Sequence, residues 1–139
     1  MKHSETLIRT INRIVKENPR YSVDAYFFIQ EAVAYTLALN SSSEDGHELK
    51  HVSCTQLVHG IKRFLLEQFG PLAIDVLKSW SINSTADFGK IVFTMIQYKI
   101  LVGQKKDSPE DFIKAYDFYE EFIAKFLPLE SKVCPQIIA

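Results

Sequence analysis

The sequence predicts a mainly α-helical protein, a single compact domain over residues 1–139 built from about six helices around a helix-turn-helix core. Three observations carry that expectation. Apolar residues recur at helical spacing through most of the chain, start and stop residues punctuate it at short intervals, and the composition is that of one globular domain, 47% hydrophobic and 24% charged over 139 residues. A chain of this length removes about two thirds of its unfolded surface from water, so the core needs no disulfide or metal.

Leu7, Ile8, Ile11, Ile14 and Val15 share one face of a first helix, which Ser4 can cap and Pro19 closes. From Ser22 to Leu39 apolar side chains fall nearly all round, which places a second helix in the middle of the core. The run Asn40 to Gly46 reads as a loop. Ser53 and Gln56 have capping-box spacing, and Leu57, Val58, Ile61, Phe64, Leu65 and Phe69 then form a stripe that Gly70 ends. Pro71 is preorganised to open a fourth helix carrying Leu72, Ala73, Val76, Leu77 and Trp80. After the turn Ser81 to Ser84, Thr85 caps a fifth with Phe88, Ile91, Val92, Met95 and Ile96.

Beyond Tyr98 two readings stay open. Phe112, Tyr116, Tyr119, Ile123 and Phe126 keep helical spacing between Pro109 and Pro128, with Ser108 and Asp111 as cap partners, which makes a long final helix. Alternatively the β-branched and aromatic run Tyr98 to Val102, a turn-rich stretch and a return over Phe112 to Phe118 make a short β-hairpin wing near residues 99–118, a winged-helix outline.

The formal net charge is −1, so no overall field draws the chain to nucleic acid or anionic lipid. Its distribution is uneven: residues 1–20 carry five basic against two acidic side chains, a net +3, and residues 107–121 one against six, a net −5. These segments are solvated faces or attract each other within or between chains. Cys54 and Cys134 form neither a CxxC motif nor a disulfide framework, so a reduced, cytoplasmic chain is expected. The N-terminus lacks the apolar run of a secretory signal, and the most apolar stretch, Val23 to Leu39, is interrupted by Asp24, Gln30 and Glu31.

His47, His51, Cys54 and His59 carry the ligand types zinc prefers, but no second pair completes a tetrahedral set, and a surface histidine with a buried cysteine is the simpler reading. No GxSxG, GxGxxG or GxxxxGK[ST] occurs. Asp87-Phe88-Gly89 copies a kinase tripeptide in a chain too short for a kinase; Asp87 fits better as a favourable charge at a helix N-terminus. Arg20, Tyr21, Tyr26, Phe27, Phe28 and Tyr35 concentrate around one helix, as a polar seam in the core or an exposed recognition surface. A DNA-reading helix over Thr85 to Tyr98 offers Lys90, Gln97 and Asn83 or Thr85 but no arginine, and Asp87 has the wrong sign for phosphate.

Five motif blocks occur in fixed order between about residue 8 and residue 122: Arg20 to Phe28, Glu67 to Ala73, Ser79 to Ile82, Thr85 to Phe93 and Asp107 to Phe112, with His51-Val52-Ser53 between the first two. In these the chain resembles an uncharacterised family of conserved hypothetical proteins described from planctomycete and verrucomicrobial bacteria. The family pattern has glycine where this chain has Ser81 and Cys54. The resemblance implies a bacterial cytosolic protein and carries no activity or cofactor; its polar motif positions fall on Arg20, Tyr21, Tyr26, His51, Asp87 and Asp107.

The expectation is a small non-enzymatic interaction or structural module with an unknown protein partner or a homo-oligomeric state, nucleic acid and membrane being disfavoured. Arg20, Tyr21, Tyr26, His51, Trp80 and Asp87 are the candidate interaction or ligand residues, and no catalytic, cofactor-binding or metal-binding residue is assigned. A winged-helix DNA-binding regulator and a small metal-dependent enzyme using His51 are the alternatives.

Overall fold

The computed structural model describes residues 5–40, 53–101 and 108–127. His47, His51, Asp107, Cys134, the Ser4 cap and the Asn40 to Gly46 loop, apart from the backbone of Asn40, lie outside the described residues. The fold is mainly α: among the described residues there are five α-helices, and no strand occurs. None of them is long and apolar enough to cross a membrane.

Helix α1 (Glu5–Glu17) buries Ile11 and Ile14 and leaves Arg9, Arg13 and Lys16 in solvent, as its periodicity requires. Ser22 opens α2 (Val23–Asn40) by accepting the Asp24 amide on its hydroxyl at 3.1 Å. The all-round apolar surface of α2 has its expected consequence, for α2 packs against α1, α3 and α5. Its closest approach is to α3 (Cys54–Phe69) at Gly60, where an added Cβ would fall 1.9 Å from the Thr36 hydroxyl oxygen. Thr36 is buried and turns its hydroxyl back to the Ala32 carbonyl, so no polar group is orphaned at the crossing. The capping box of α3 forms as read: Ser53 Oγ accepts the Gln56 amide at 3.1 Å and Gln56 Oε1 accepts the Ser53 amide at 3.0 Å.

Gly70 leaves α3 at φ 51°, and Pro71 sits in the first turn of a short 3-10 segment leading into α4 (Ala73–Ser79). Helix α4 ends in a Schellman cap. The Ser81 amide donates to the Lys78 carbonyl and the Ile82 amide to the Leu77 carbonyl, Ser81 stands at φ 67°, and the buried side chains Leu77 and Ile82 provide the accompanying apolar contact. A serine therefore occupies a left-handed position that favours glycine.

Helix α5 (Thr85–Gln97) starts at its expected cap, one residue earlier than the sequence predicts. Ser84 is the N-cap, and Thr85 is inside the helix with its hydroxyl turned to the C-terminal segment. The end of α5 repeats the Schellman cap with Lys99 at φ 63°: the Lys99 amide donates to the Ile96 carbonyl and the Ile100 amide to the Met95 carbonyl. This is why Tyr98 to Leu101 is not a strand. Ile100 folds back as the apolar residue of a helix cap, and packs against the core instead of extending.

The last third corrects both expectations for that region. Residues 102–107 lie outside the described set, and among the rest of 99–118 no hairpin strand is present. Nor is there a long helix. Ser108 and Asp111 are cap partners, but of one 3-10 turn (Pro109–Phe112) that stops at extended Ile113 and left-handed Lys114. The chain restarts where Asp117 Oδ2 accepts the Glu120 amide, as a π-helical turn (Tyr119–Ile123) followed by a 3-10 turn (Ala124–Phe126).

The burial phase differs from the one the spacing suggested: Phe112, Phe118 and Phe122 are inside, while Tyr119 and Phe126 are exposed at 50% and 43%. Phe118 and Phe122 meet edge to face at 5.3 Å, and Phe88 of α5 lies 5.6 Å from Phe118. Phe112 lies against Gly89, whose absent side chain leaves it room. The total of about six helices becomes five because the sixth is broken in this way.

Two substitutions test this packing. Ser81→Gly is expected to stabilise the protein by about 0.5–1 kcal/mol, since glycine carries no left-handed penalty and the gain is offset only in part by its freer unfolded chain; a lower urea midpoint would contradict the cap. Gly89→Ala places a Cβ 2.9 Å from the Phe112 Cβ. That clash should outweigh the roughly 1 kcal/mol gain in helix propensity and give a net loss of about 1–3 kcal/mol in urea unfolding.

Candidate functional site

The turn between α1 and α2 carries Arg20 and Tyr21 to the first turn of α5. There Asp87 is 5% exposed and its carboxylate is fully engaged. The Tyr21 hydroxyl donates to Oδ1 at 2.5 Å, and the amides of Asn83 and Ser84 donate to Oδ2 at 2.8 and 3.3 Å. Half-exposed Arg20 approaches Oδ1 at 3.4 Å and lies over the Tyr21 ring at 5.1 Å. The sequence-level expectation of a charge at a helix N-terminus thus becomes a buried carboxylate that ties a distant turn to that terminus.

Burial pushes the Asp87 carboxyl up, but the Tyr21 hydroxyl, the two backbone amides and the Arg20 charge outweigh it, and its pKa lies below the ordinary value. Tyr21 is pushed up to about 12, first by burial and then by donating to a carboxylate. Neither group is poised to exchange a proton near neutral pH. The cluster is a structural tie with one open side, at Arg20.

On that side a groove of about 550 Å³ runs between the α1–α2 turn and α5, lined among others by Arg20, Lys90, Tyr21, Tyr26, Phe93 and Gln97. Lys90, Phe93, Thr94 and Gln97 recur at the spacing of one helical face, the face of α5 that no neighbouring helix fully covers. The cations stand at the rim over a floor of aromatic and aliphatic surface. Tyr26 is 1% exposed, yet its hydroxyl forms no hydrogen bond among the described residues. One turn along α2, Gln30 Oε1 is buried without a partner. Gln97 also lines a second groove of about 380 Å³ with Arg13, Tyr98 and Lys99, in which Arg13 lies over the Tyr98 ring and Tyr98 donates to Glu17 at 2.6 Å. The two grooves share an edge and continue one basic surface along α1.

Of the residues singled out from sequence, Arg20, Tyr21, Tyr26 and Asp87 come together. Trp80 does not: it packs with Phe28 at 5.2 Å and Phe69 at 6.2 Å, in a separate aromatic cluster. His51 and His47 lie outside the described residues. Cys54 is buried and His59 is exposed with its ring 5.7 Å from that of Tyr116. Among the described residues no three His, Cys, Asp or Glu side chains stand close enough to hold a metal ion. Phe93 and Arg13 were not singled out as site residues, although the spacing from Lys90 to Gln97 signals a common face. For a DNA-reading helix the start of α5 is ill suited, because Thr85 and Asp87 are buried and engaged.

Because the folded pKa of Asp87 is depressed, the stability its carboxylate supplies is complete above pH about 4 and is lost as pH falls through the folded value. Tyr21 acts oppositely: its contribution is present below pH about 10 and is lost as pH rises towards the folded value. Tyr21→Phe is expected to cost about 1–3 kcal/mol at neutral pH and to move the acid-unfolding midpoint upwards, since burial of Asp87 is then less opposed. A circular-dichroism pH titration with an unmoved midpoint would show that the backbone amides alone hold the carboxylate.

Comparison with protein-family models, with curated proteins and with solved structures finds no match in any of the three, so the reading of this site rests on its own geometry.

Proposed function

We propose that the protein is a non-enzymatic helical binding module that takes an acidic, apolar-tipped protein segment in the groove between the α1–α2 turn and α5. The observation that carries this reading is the composition of the groove: Arg20 and Lys90 at the rim, Phe93 and Ile96 with the edges of buried Tyr21 and Tyr26 beneath, and no acidic side chain among the described lining residues. Cations over aromatic and aliphatic surface suit a ligand that brings carboxylates and a side chain to bury. The titratable groups beside the groove support binding more than catalysis, because Asp87 is held ionised and Tyr21 is held neutral across the physiological range.

The Tyr26 hydroxyl, which has no hydrogen-bond partner among the described residues and lines the groove, offers such a segment a polar contact in exchange for water. A cytoplasmic protein partner fits this chemistry, and the helix-turn-helix outline of α4 and α5 serves in it as a frame for the exposed face of α5 rather than as a DNA reader.

The test is titration of the protein with a synthetic glutamate-rich peptide bearing a central tyrosine, followed by amide shifts in nuclear magnetic resonance. Shifts should concentrate at Tyr21, Lys90, Phe93 and Gln97 and weaken with salt, and Lys90→Glu should reduce affinity by about tenfold. Shifts elsewhere, or a DNA duplex binding in place of the peptide with strong salt dependence, would overturn the reading.

A further inference from the structure

We infer that the occupant of this groove is a second copy of the chain, whose exposed acidic surface between Glu110 and Glu120 lies on the basic groove of its partner, and reciprocally. The inference rests on the binding-module reading and names its partner. Glu110, Asp111, Asp117 and Glu120 are exposed. Among the described residues none of these four forms an ion pair with a lysine or arginine, whereas neighbouring Glu121 is neutralised by Lys125 at 2.9 Å and Lys62 at 3.4 Å. Between those acids stand two apolar side chains left in water, Ile113 at 52% and Tyr119 at 50% exposure. This is the ligand chemistry that the groove selects, carboxylates with an aromatic and an aliphatic tip.

The opposite surface is mainly basic, although α1 also exposes Glu5 and Glu17, the latter accepting the Tyr98 hydroxyl. Arg9, Arg13 and Lys16 follow one another along α1 at helical spacing, all exposed, and Arg13, Lys99, Arg20 and Lys90 line the two adjoining grooves. Among the described residues no lysine or arginine of 5–20 forms an ion pair with an acid of 108–121, so the basic and acidic segments do not cancel through such contact within one chain.

Their placement suits two-fold pairing. Phe93 lines the basic groove and also meets Phe112, at the root of the acidic surface, edge to face at 6.3 Å. The two patches thus flank one residue. When two copies face each other about an axis near Phe93, each basic groove meets the other copy's acidic surface, which is the self-complementary arrangement of an isologous dimer. Like-charged patches would meet in the parallel orientation, so the charges also choose the hand of the contact.

Sedimentation velocity on the full chain at rising concentration and two salt levels tests the inference. A monomer–dimer equilibrium is expected, weakened about tenfold or more between low and high salt. Lys90→Glu alone and Glu110→Lys/Glu120→Lys alone should each weaken the dimer by about tenfold, and an equimolar mixture of the two variants should restore it, because in the mixed dimer both contacts again pair opposite charges. Circular dichroism of each variant checks that these exposed substitutions leave the fold intact. A chain that stays monomeric while the glutamate-rich peptide still shifts the groove overturns the second copy as occupant and leaves the binding-module reading standing. A monomer that also ignores the peptide overturns both. A dimer indifferent to either reversal, or not restored by mixing, overturns the inference as well.

Discussion

The first turn of α5 is the constraint on which the rest of the molecule depends. Thr85 and Asp87 are two positions apart in a helix, so their side chains leave it on nearly opposite sides. Asp87 reaches the turn between α1 and α2 through Tyr21, and the Thr85 hydroxyl donates to the Phe112 carbonyl and accepts the Ala115 amide at 3.1 Å. Both side chains are buried. One helical turn thus holds the N-terminal helix pair on one side and the C-terminal segment on the other. It does so with polar groups whose partners are all supplied, which is the condition for placing them in a core.

That constraint explains why the C-terminal segment is neither helix nor strand. In a helix the Phe112 carbonyl and the Ala115 amide would bond along the axis, and in a hairpin they would bond across a ladder. Here a side-chain hydroxyl from α5 serves both, and Phe112 is drawn against Gly89, where a larger residue on α5 would hold it off. Tyr116 is fixed in a similar way: its hydroxyl donates to the Val58 carbonyl of α3 at 2.8 Å, and burial pushes its pKa up. The backbone of this segment follows from where its side chains are anchored. Its helical turns are correspondingly short, one before Ile113 and two after Asp117.

Elements with local start and stop signals were legible in the sequence. The Ser53–Gln56 box, the Gly70–Pro71 break and the amphipathic face of α1 depend on neighbours within a few residues, so spacing alone identifies them. The last third was not legible because its order comes from contacts with residues far away in sequence, Thr85, Gly89 and Val58. The repeat of Phe112, Tyr116, Tyr119, Ile123 and Phe126 is a true helical period, but burial selects Phe112, Phe118 and Phe122 instead. The β-branched run after Tyr98 misled for a similar reason. Its Ile100 closes a helix cap whose left-handed position is held by Lys99, and no glycine marks it. Within the site, Arg20, Tyr21, Tyr26 and Asp87 were found as separate polar positions, while their convergence depends on the fold.

The near-neutral total charge conceals a basic stretch over residues 1–20 and an acidic one over residues 107–121, and the hydrogen bonds among the described residues show how acids are satisfied without basic side chains. Where an acid must be buried, as at Asp87, the chain surrounds it with a hydroxyl and backbone amides and leaves Arg20 half exposed at 3.4 Å. Where an acid must order the backbone, as at Asp111 and Asp117, it accepts a local amide. Most of the basic residues of α1 and α5 are therefore not consumed in stabilising the monomer. Surface ion pairs add little to a small domain's stability, whereas unspent charge of one sign beside exposed apolar side chains is effective at steering and registering a partner. The same economy that stabilises the fold through neutral donors leaves its arginines and lysines at the rim of a groove, available for recognition.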